Sequence, residues 1–526
     1  MNNQVDKAIR IGIVGGGPRG LFCLERLAIE FGNICPALRR PVHITLFETA
    51  EHPGAGTIYA LQQPDYLLMN FSVGNIDIWS EESHLDFPGV RQNLNRWLMK
   101  KYPELSAPHH FVPRSMVGEY LHDGFRRVAA TLPDGMSLEV VAERAGEIVE
   151  DPSGWIVKTD RSNFSCDEVI VTVGHEGWRP VSESSGERRV FPVDRQLSVA
   201  SIPPGSKVAV RGFSLTFIDA ALALTEGRGG KFSKGGGYER SGSEPRSITP
   251  FSRSGRPMLA KPDYSQVRIP DRWNDIWGYY GRKISDHTGE VNFSGDIMPL
   301  VSEAADEAAN RDTAGWFQSF LAPTPALEKM RVSYEAATGK IPAGESLALA
   351  EAWRNLYPEI VRLLEHGGLG AKGWPSYLYY SSELERIAFG PSAINVAKML
   401  ALVEEGIVLV DETVDSLEEY DCVIDARMPP PDSLAKDSPL RKLQEQGYVR
   451  RLNGNRGIEI GRSGYAISSS GDPVAGLAVV GRATEGCVIG NDTLSRTLNT
   501  HIDRWAQSVG ARHFHQLSQG YEFSTV

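Results

Sequence analysis

Three glycines near the N-terminus follow the pattern Gly-x-Gly-x-x-Gly, at Gly15, Gly17 and Gly20. An apolar, strand-like stretch precedes them and a helix-like run follows. In this context the first glycine permits a tight turn, the second lets a pyrophosphate approach the backbone, and the third lets helix and strand pack closely. Pro18 and Arg19 lie in the same turn, where the first N–H groups of a helix can bind phosphate. The pattern predicts a dinucleotide-binding turn.

A second strand-like run, from His43 to Phe47, ends on Glu48. A carboxylate at this point can accept hydrogen bonds from both hydroxyls of a ribose. Its distance from the glycines exceeds the usual spacing of about 20 residues, and we attribute the excess to the loop 31–41. A glycine-rich turn without a ligand is the alternative, but strand, glycines, helix and acidic strand end occur together and favour the dinucleotide site.

A second and degenerate start of a nucleotide-binding domain follows the strand-like run 207–211. Gly212 and Ser214 occupy the first two small positions, but the third glycine is absent. Arg253 follows the next predicted strand, where a cation suits the 2′-phosphate of NADP better than the ribose of NAD. A solvated loop charge is the alternative for Arg253. The sequence therefore predicts a nicotinamide dinucleotide here on weaker grounds than for the first turn.

Composition excludes several classes of protein. The 526 residues carry a formal net charge of −11, which gives no reason to expect nucleic acid or an anionic membrane as a partner. No apolar run is long enough to span a membrane and the first residues do not read as a secretion signal, so we expect a cytoplasmic protein. The five cysteines are too widely spaced for a metal quartet or a local redox pair. We expect no metal site, and the oligomeric state stays open.

The rest of the chain alternates between strand-like and helix-like segments. Strand-like runs at 138–141, 145–149 and 155–159 predict a small antiparallel meander, and a buried strand ends near Gly174. Apolar residues recur every three or four positions over Leu347–Leu364 and Pro391–Leu402, which predicts helices. A last helix is expected over Asp492–Trp505. The aromatic residues that connect the helices pack a core or line a substrate pocket.

Together these segments resemble the flavoproteins with two dinucleotide-binding domains, in particular the monooxygenase-like branch that includes N-hydroxylating enzymes of amines and amino acids. The segments that carry the resemblance are residues 15–20, 67–70, 111–120, 172–175 and 481–496. It implies an α/β fold with two Rossmann-like dinucleotide-binding domains, of which the FAD domain is discontinuous, and a mostly helical insertion. The implied boundaries are 1–200 and 432–526 for the FAD domain, 201–260 and 401–431 for the NAD(P)-binding-like domain, and 261–400 for the insertion, a candidate substrate-binding region.

The resemblance implies FAD as the cofactor and, less directly, NADPH as the reductant. Candidate cofactor contacts beyond the two glycine turns and the strand ends are Thr57, Asn70, Gly174, Gly481, Asn491, Asp492 and Thr493. Asn491 or Asp492 would cap the last predicted helix, whose N-terminus could then stabilise an anionic reduced flavin. An ordinary capped helix is the alternative.

The activity implied by the resemblance is that of an NADPH-dependent flavin monooxygenase acting on a small molecule. NADPH reduces FAD, oxygen adds at the flavin C4a, and the hydroperoxide transfers oxygen to an amine or amino-acid nitrogen. Asn70 and Asn75 could hydrogen-bond flavin or peroxide, and Arg114 and Tyr120 could position the flavin loop or a substrate carboxylate. A flavin oxidase or dehydrogenase that needs no NADPH, and a non-catalytic FAD-binding redox sensor, stay open as alternatives.

Overall fold

A computed structural model describes residues 8–80, 91–175, 187–233, 235–310, 321–322, 324–342, 344–431, 433–452, 457–491 and 493–514. The chain divides into two compact units. Unit 1 comprises Met1–Gln63, Val73–Gly177 and Pro430–Val526, and unit 2 comprises Pro64–Ser72 and Trp178–Pro429. Two segments that the sequence prediction placed in the FAD domain, 64–72 and 178–200, thus belong to unit 2. The predicted helical insertion forms one unit with the NAD(P)-binding-like region.

Strands and helices are numbered along the chain. The strands are β1 (Ile9–Val14), β2 (Val42–Phe47), β3 (Met136–Val141), β4 (Glu147–Asp151), β5 (Gly154–Lys158), β6 (Asn163–Cys166), β7 (Glu168–Val171), β8 (Glu187–Arg189), β9 (Lys207–Arg211), β10 (Lys231–Phe232), β11 (Tyr238–Glu239), β12 (Ser247–Phe251), β13 (Cys422–Asp425), β14 (Tyr465–Ile467) and β15 (Pro473–Val479). The α-helices are α1 (Pro18–Gly32), α2 (Leu94–Lys101), α3 (Arg114–Ala130), α4 (Val193–Gln196), α5 (Leu215–Ala223), α6 (Arg272–Ser285), α7 (Met298–Ala309), α8 (Ala326–Ala337), α9 (Glu345–Leu364), α10 (Gly370–Ala388), α11 (Ala393–Glu404), α12 (Pro439–Glu445) and α13 (His501–Val509).

The main sheet of unit 1 has the order β14-β15-β7-β1-β2-β3, and every pair in it except β14 with β15 is parallel. Ile11 and Ile13 of β1 are fully buried, and every residue of β7 is buried. Such nearly continuous apolar strands are typical of a parallel sheet covered on both faces. The chain passes from β1 through α1 to β2, so the glycine turn lies at the carboxyl end of a central strand, where α/β folds bind ligands.

The predicted meander is correct only in part. Strands β4, β5 and β6 form a three-stranded antiparallel sheet, but the first predicted run, 138–141, belongs to β3 and pairs in parallel with β2. Strand β3 is an edge strand whose central residues are half-buried or exposed. Alternation of apolar and polar residues does not distinguish such an edge strand from one arm of a hairpin, which explains the error.

Unit 2 contains a four-stranded parallel sheet in the order β12-β9-β13-β8. Its apolar core includes Val208, Val210, Ile248 and Ile424. The helices expected over 347–364 and 391–402 are confirmed as α9 and α11. Helix α11 begins after Ser392, whose hydroxyl accepts a hydrogen bond from the N–H of Asn395.

The last helix differs from its prediction. Helix α13 begins at His501, with Thr500 as N-cap, and the described residues between 493 and 500 are turns and irregular backbone. Leu494 and Leu498 are both buried although they lie outside the helix. Their four-residue spacing imitates helical periodicity, which is why the sequence extended the helix too far. Within the described residues, no helix combines the length and the apolar character needed to cross a membrane.

Candidate functional site

The turn between β1 and α1 requires glycine at two of its three motif positions for reasons of packing. Gly15 has φ +108°, and a Cβ there would lie 2.9 Å from Thr172 Oγ1 and 3.0 Å from Thr172 O. A Cβ on Gly20 would lie 2.2 Å from the carbonyl oxygen of Gly15. The first glycine thus supplies a left-handed turn, and the third permits close approach of helix and strand, as predicted.

Gly17 is different, because nothing in the described protein requires a glycine there. Its backbone has φ −72°, which any residue can adopt, and an added Cβ would meet only Gly56 Cα, at an ordinary contact distance of 3.8 Å. Gly17 is the N-cap of α1 and no side chain caps the helix. The space beside it and the uncapped N–H groups fit a pyrophosphate, as an FAD-binding turn requires.

Glu48 follows β2 and its carboxylate is held from two sides. Oε2 accepts a hydrogen bond from the N–H of Gly16 at 2.8 Å, and Oε1 accepts one from the N–H of Ala50 at 2.7 Å. A carboxylate offers about four acceptor sites, so it keeps capacity for ribose hydroxyls. The contact to Gly16 ties the carboxylate to the glycine turn.

A second loop and the end of β7 border the same turn. Gly54 donates its N–H to the carbonyl of Gly16 at 2.6 Å, and a Cβ on Gly56 would lie 3.1 Å from Gly17 Cα. Thr57 follows them and is exposed. Gly174, which follows β7, is exposed, and nothing lies within 4 Å of the position of an added Cβ. Thr57 and Gly174 stay predicted cofactor contacts.

Residues 481–496, here called the closing segment of unit 1, contact the start of α1 through Arg19. Nη2 of Arg19 donates to the carbonyls of Asn491 and Thr493 at 3.3 and 3.2 Å. A Cβ on Gly481 would lie 3.6 Å from Arg19 Cγ. The structure therefore brings together Arg19, Gly481, Asn491 and Thr493 beside the glycine turn, although they lie far apart in sequence.

The predicted capping role of Asn491 is wrong, because α13 begins at His501. The side chain of Asn491 is buried, and its Nδ2 donates to the carbonyl of Val488 at 2.9 Å and to Thr484 Oγ1 at 3.3 Å. It shapes the closing segment rather than a helix start. Asp492, the other predicted cap, lies outside the described residues.

A buried ionic network joins this closing segment to α1, and no sequence motif marks it. Arg496 pairs with Glu25 at 2.7 Å, and both side chains are at most 5% exposed. Arg26 lies 2.9 Å from Asp503 and 2.8 Å from Glu30. Burial raises the pKa of Glu25, and the charge of Arg496 opposes that rise. Each of these residues looks like an ordinary helix-surface charge in the sequence, which explains why they were missed.

The remaining candidates of unit 1 have different environments. Tyr120, proposed to position a flavin loop or substrate, is 2% exposed, and its hydroxyl donates to the carbonyl of Gln92 at 2.8 Å. That hydroxyl is hydrogen-bonded to loop backbone inside the fold, and a role in positioning the flavin loop stays a prediction. Asn75 ends a short 3₁₀ turn and is exposed, and Arg114 is the first residue of α3. Both stay predictions as catalytic residues.

Asn70 belongs to unit 2. Its side-chain Nδ2 donates to the carbonyl of Phe389 at 3.2 Å, and its own carbonyl accepts a hydrogen bond from Lys261 Nζ. Asn70 therefore joins a polar cluster around the end of α10. A direct contact with flavin stays a prediction.

The second nucleotide-binding start has the expected shape. Gly212 follows β9 with φ +122°, and a Cβ there would lie 3.2 Å from the Ala426 carbonyl. Ser214 is the N-cap of α5, and its hydroxyl makes no capping bond. Arg253 follows β12, is exposed, and makes no hydrogen bond or ion pair within the part of the chain that is described. An uncapped helix start and an unpaired cation fit the phosphates of NADPH.

Comparison with known proteins identifies one domain of this chain. Residues 12–176 match the family model for FAD-NAD(P)-binding proteins, and this segment is an FAD/NAD(P)-binding domain. The match covers the end of β1, the glycine turn, Glu48 and β7. It confirms the predicted α/β dinucleotide-binding fold for this segment and the predicted use of FAD with a nicotinamide dinucleotide.

Two curated relatives extend beyond that domain. Nitrosuccinic acid synthase of Aspergillus oryzae is 27% identical over 76% of this chain and 72% of its own length. An L-aspartate N-monooxygenase (nitrosuccinate-forming) of Streptomyces davaonensis is 24% identical over 87% of this chain and 88% of its own. Among solved structures, L-lysine 6-monooxygenase from Pseudomonas syringae covers 96% of this chain and 100% of its own at a TM-score of 0.44 and 12% identity. The curated relatives confirm the predicted enzyme class, a flavin-dependent monooxygenase.

No metal centre accompanies this site in the described residues, where no three His, Cys, Asp or Glu side chains come close enough to share an ion.

Proposed function

We propose that this chain is an FAD- and NADPH-dependent N-monooxygenase that hydroxylates the amine of aspartate or of a closely related acidic amino acid. The observation that carries the proposal is the extent of the match to the L-aspartate N-monooxygenase, which covers 87% of the chain and therefore includes much of both units. A relationship limited to the FAD domain would leave the substrate open, because this fold hosts many reactions.

The residues of unit 1 support the cofactor assignment. Gly17 leaves space for a pyrophosphate, Glu48 is fixed in position to accept from a ribose, and Arg19 holds the closing segment at the same helix end. Bound flavin would supply the redox chemistry and the activation of oxygen. The protein would hold the cofactor, position the amine and exclude water.

The residues of unit 2 support NADPH as the reductant. Ser214 and the uncapped start of α5 would receive the pyrophosphate, and Arg253 would pair with the 2′-phosphate. Phe217 stands where the third glycine of the motif is expected, so this site would be wider or differently packed than the first.

The test is steady-state turnover of the purified, FAD-loaded protein. Aspartate should stimulate NADPH and oxygen consumption, and a product should carry label from isotopic oxygen gas. Asparagine, which lacks the side-chain carboxylate, is the matched substrate control. Bleaching of the flavin by aspartate without NADPH would instead indicate an oxidase, and flavin that no small molecule reduces would indicate a non-catalytic redox module.

A further inference from the structure

Lys261 of unit 2 lies in an unusual environment for a lysine. Its backbone N–H donates to the carbonyl of Pro391 at 2.8 Å, and its Nζ donates to the carbonyl of Asn70. Nζ also lies 4.8 Å from the centroid of the Phe71 ring. Among the described residues no carboxylate pairs with this ammonium group, so its contacts are a neutral carbonyl and an aromatic face.

A second cation lies at the same helix end. Arg354, on α9, donates from Nη1 to the carbonyl of Ala388 at 2.5 Å. The next carbonyl along the chain, that of Phe389, accepts from Asn70 Nδ2. Arg354 therefore contacts the backbone at the end of α10 directly, and Lys261 is linked to it through Asn70. We call Asn70, Lys261, Glu351 and Arg354 the Lys261 cluster.

The one carboxylate of the cluster, that of Glu351, pairs with Arg354 and not with Lys261. Glu351 Oε1 accepts from Arg354 Nη2 at 2.5 Å and from the Tyr264 hydroxyl at 2.6 Å, and Oε2 accepts from Asn355 Nδ2 at 3.2 Å. Arg354 Nε is buried and has no hydrogen-bond partner. Glu351 thus pairs with Arg354 and leaves Lys261 without a carboxylate, and the buried Nε donor of Arg354 is left over. Unpaired buried charge is costly, so such an arrangement favours a bound anion.

The electrostatics of the site agree with this geometry. Burial and repulsion by Arg354 lower the pKa of Lys261 to about 7. Tyr264 keeps its proton, because burial raises the pKa of its hydroxyl. Near neutral pH, part of Lys261 is therefore neutral and can gain a proton when an anion binds.

We propose that Lys261 and Arg354 bind a carboxylate of the substrate and so select small acidic amino acids. This assignment rests on the proposed function for the identity of the substrate. Lys261 offers a compact ammonium charge, and Arg354, whose charge repels that of Lys261, offers an unused Nε donor. A neutral analogue would leave both groups unpaired, and sites built in this way discriminate strongly against ligands that lack the matching group.

The competing explanation is structural. Cations near the C-terminus of a helix interact favourably with its last carbonyls, and both groups lie near the end of α10. Arg272 provides a matched control, because it donates in the same manner to the carbonyls of Glu307 and Ala308 at the end of α7, at 3.2 and 2.8 Å. Arg272 belongs to unit 2 and has no place in the proposed binding site.

Calorimetric binding of succinate to the FAD-loaded protein tests the assignment without turnover. Succinate carries the carboxylates of aspartate without its amine. We expect Lys261→Met to weaken succinate binding about 10- to 100-fold, since a charge-assisted hydrogen bond is lost. Lys261→Arg should stay within about threefold of the parent because the charge is kept, and Arg272→Met should bind as the parent does. Flavin content and thermal unfolding confirm that each variant is folded.

Proton uptake gives a second readout that a merely structural lysine would not show. At a pH above 7 most of the unliganded Lys261 is neutral, and a bound carboxylate should raise its pKa again. Succinate binding at about pH 8 should take up close to one proton, measured from binding heats in buffers of different ionisation enthalpy. Lys261→Met and Lys261→Arg should both lose this uptake, although only the arginine variant keeps the affinity.

The outcomes separate this assignment from the proposed function. Suppose that aspartate is hydroxylated. If the parent protein then fails to bind succinate, or if Lys261→Met binds succinate as the parent does, the carboxylate site is wrong and the proposed function stands. If succinate binding depends on Lys261 but aspartate stimulates no NADPH oxidation, the site stands and the proposed reaction is wrong.

Discussion

Replacing Gly17 with alanine should weaken FAD binding strongly while leaving the protein folded. The new Cβ would lie 3.8 Å from Gly56 Cα, an ordinary contact, and the backbone already has φ −72°. Alanine is a poorer N-cap than glycine by about 0.5–1 kcal/mol, but the loss of backbone freedom in the unfolded chain returns about 0.4–1 kcal/mol. The free energy of unfolding of the apoprotein should therefore change by less than about 1 kcal/mol.

FAD binding should not tolerate the Gly17→Ala substitution as the apoprotein does. A methyl group in the space next to the helix start would displace the pyrophosphate, and we expect FAD affinity to fall at least 100-fold, or about 2.8 kcal/mol. The assay titrates apoprotein with FAD by flavin fluorescence, and urea unfolding of the same apoprotein measures stability.

Gly20→Ala, in contrast, should destabilise the apoprotein itself. Its Cβ would lie 2.2 Å from the Gly15 carbonyl oxygen, so the backbone must move, at a cost of about 1–3 kcal/mol even without FAD. Retention of FAD affinity by Gly17→Ala, or equal destabilisation of the apoprotein by the two substitutions, would refute this division of roles between the glycines.

Two further predictions concern charged side chains. Arg496→Met should lower the free energy of unfolding by about 3–5 kcal/mol near pH 8, because it leaves Glu25 buried without its partner. The deficit should shrink as the pH falls towards about 5, since the pKa of Glu25 is raised in the folded state and protonation removes the buried charge; a pH-independent deficit in urea titrations would contradict this. Arg253→Ala should raise the KM for NADPH about 10- to 100-fold and leave that for NADH unchanged. Arg246→Ala, an exposed arginine just before the same strand, is the control, and a parallel loss with both dinucleotides would exclude recognition of the 2′-phosphate.

What the sequence predicted well was local. The strand, glycine turn and helix around Gly15 lie within a few residues of each other, so spacing alone carries the information. The pair of Lys261 and Asn70 is separated by 191 residues, and that of Arg496 and Glu25 by 471. No local pattern marks such pairs, because the identity of a residue does not reveal whether its side chain is buried or which residue it contacts.

The errors have a common physical origin. Periodicity reports which residues are buried and does not report the backbone that buries them. Leu494 and Leu498 are buried at helical spacing from an irregular segment, so the last helix was predicted to start too early. Apolar and polar residues alternate along β3 because it lies at a sheet edge, and this alternation resembles that of the meander strands.

The placement of β15 beside β7 has a consequence for biosynthesis. Tyr465 of the adjoining strand β14 reaches Glu168 at the start of β7, and the two residues are 297 positions apart. At translation rates of about 5–20 residues per second, the ribosome needs roughly 15–60 s to deliver the missing strands. During that interval β7 presents an unpaired apolar edge in the nascent polypeptide, which makes this stage a natural point for chaperone engagement.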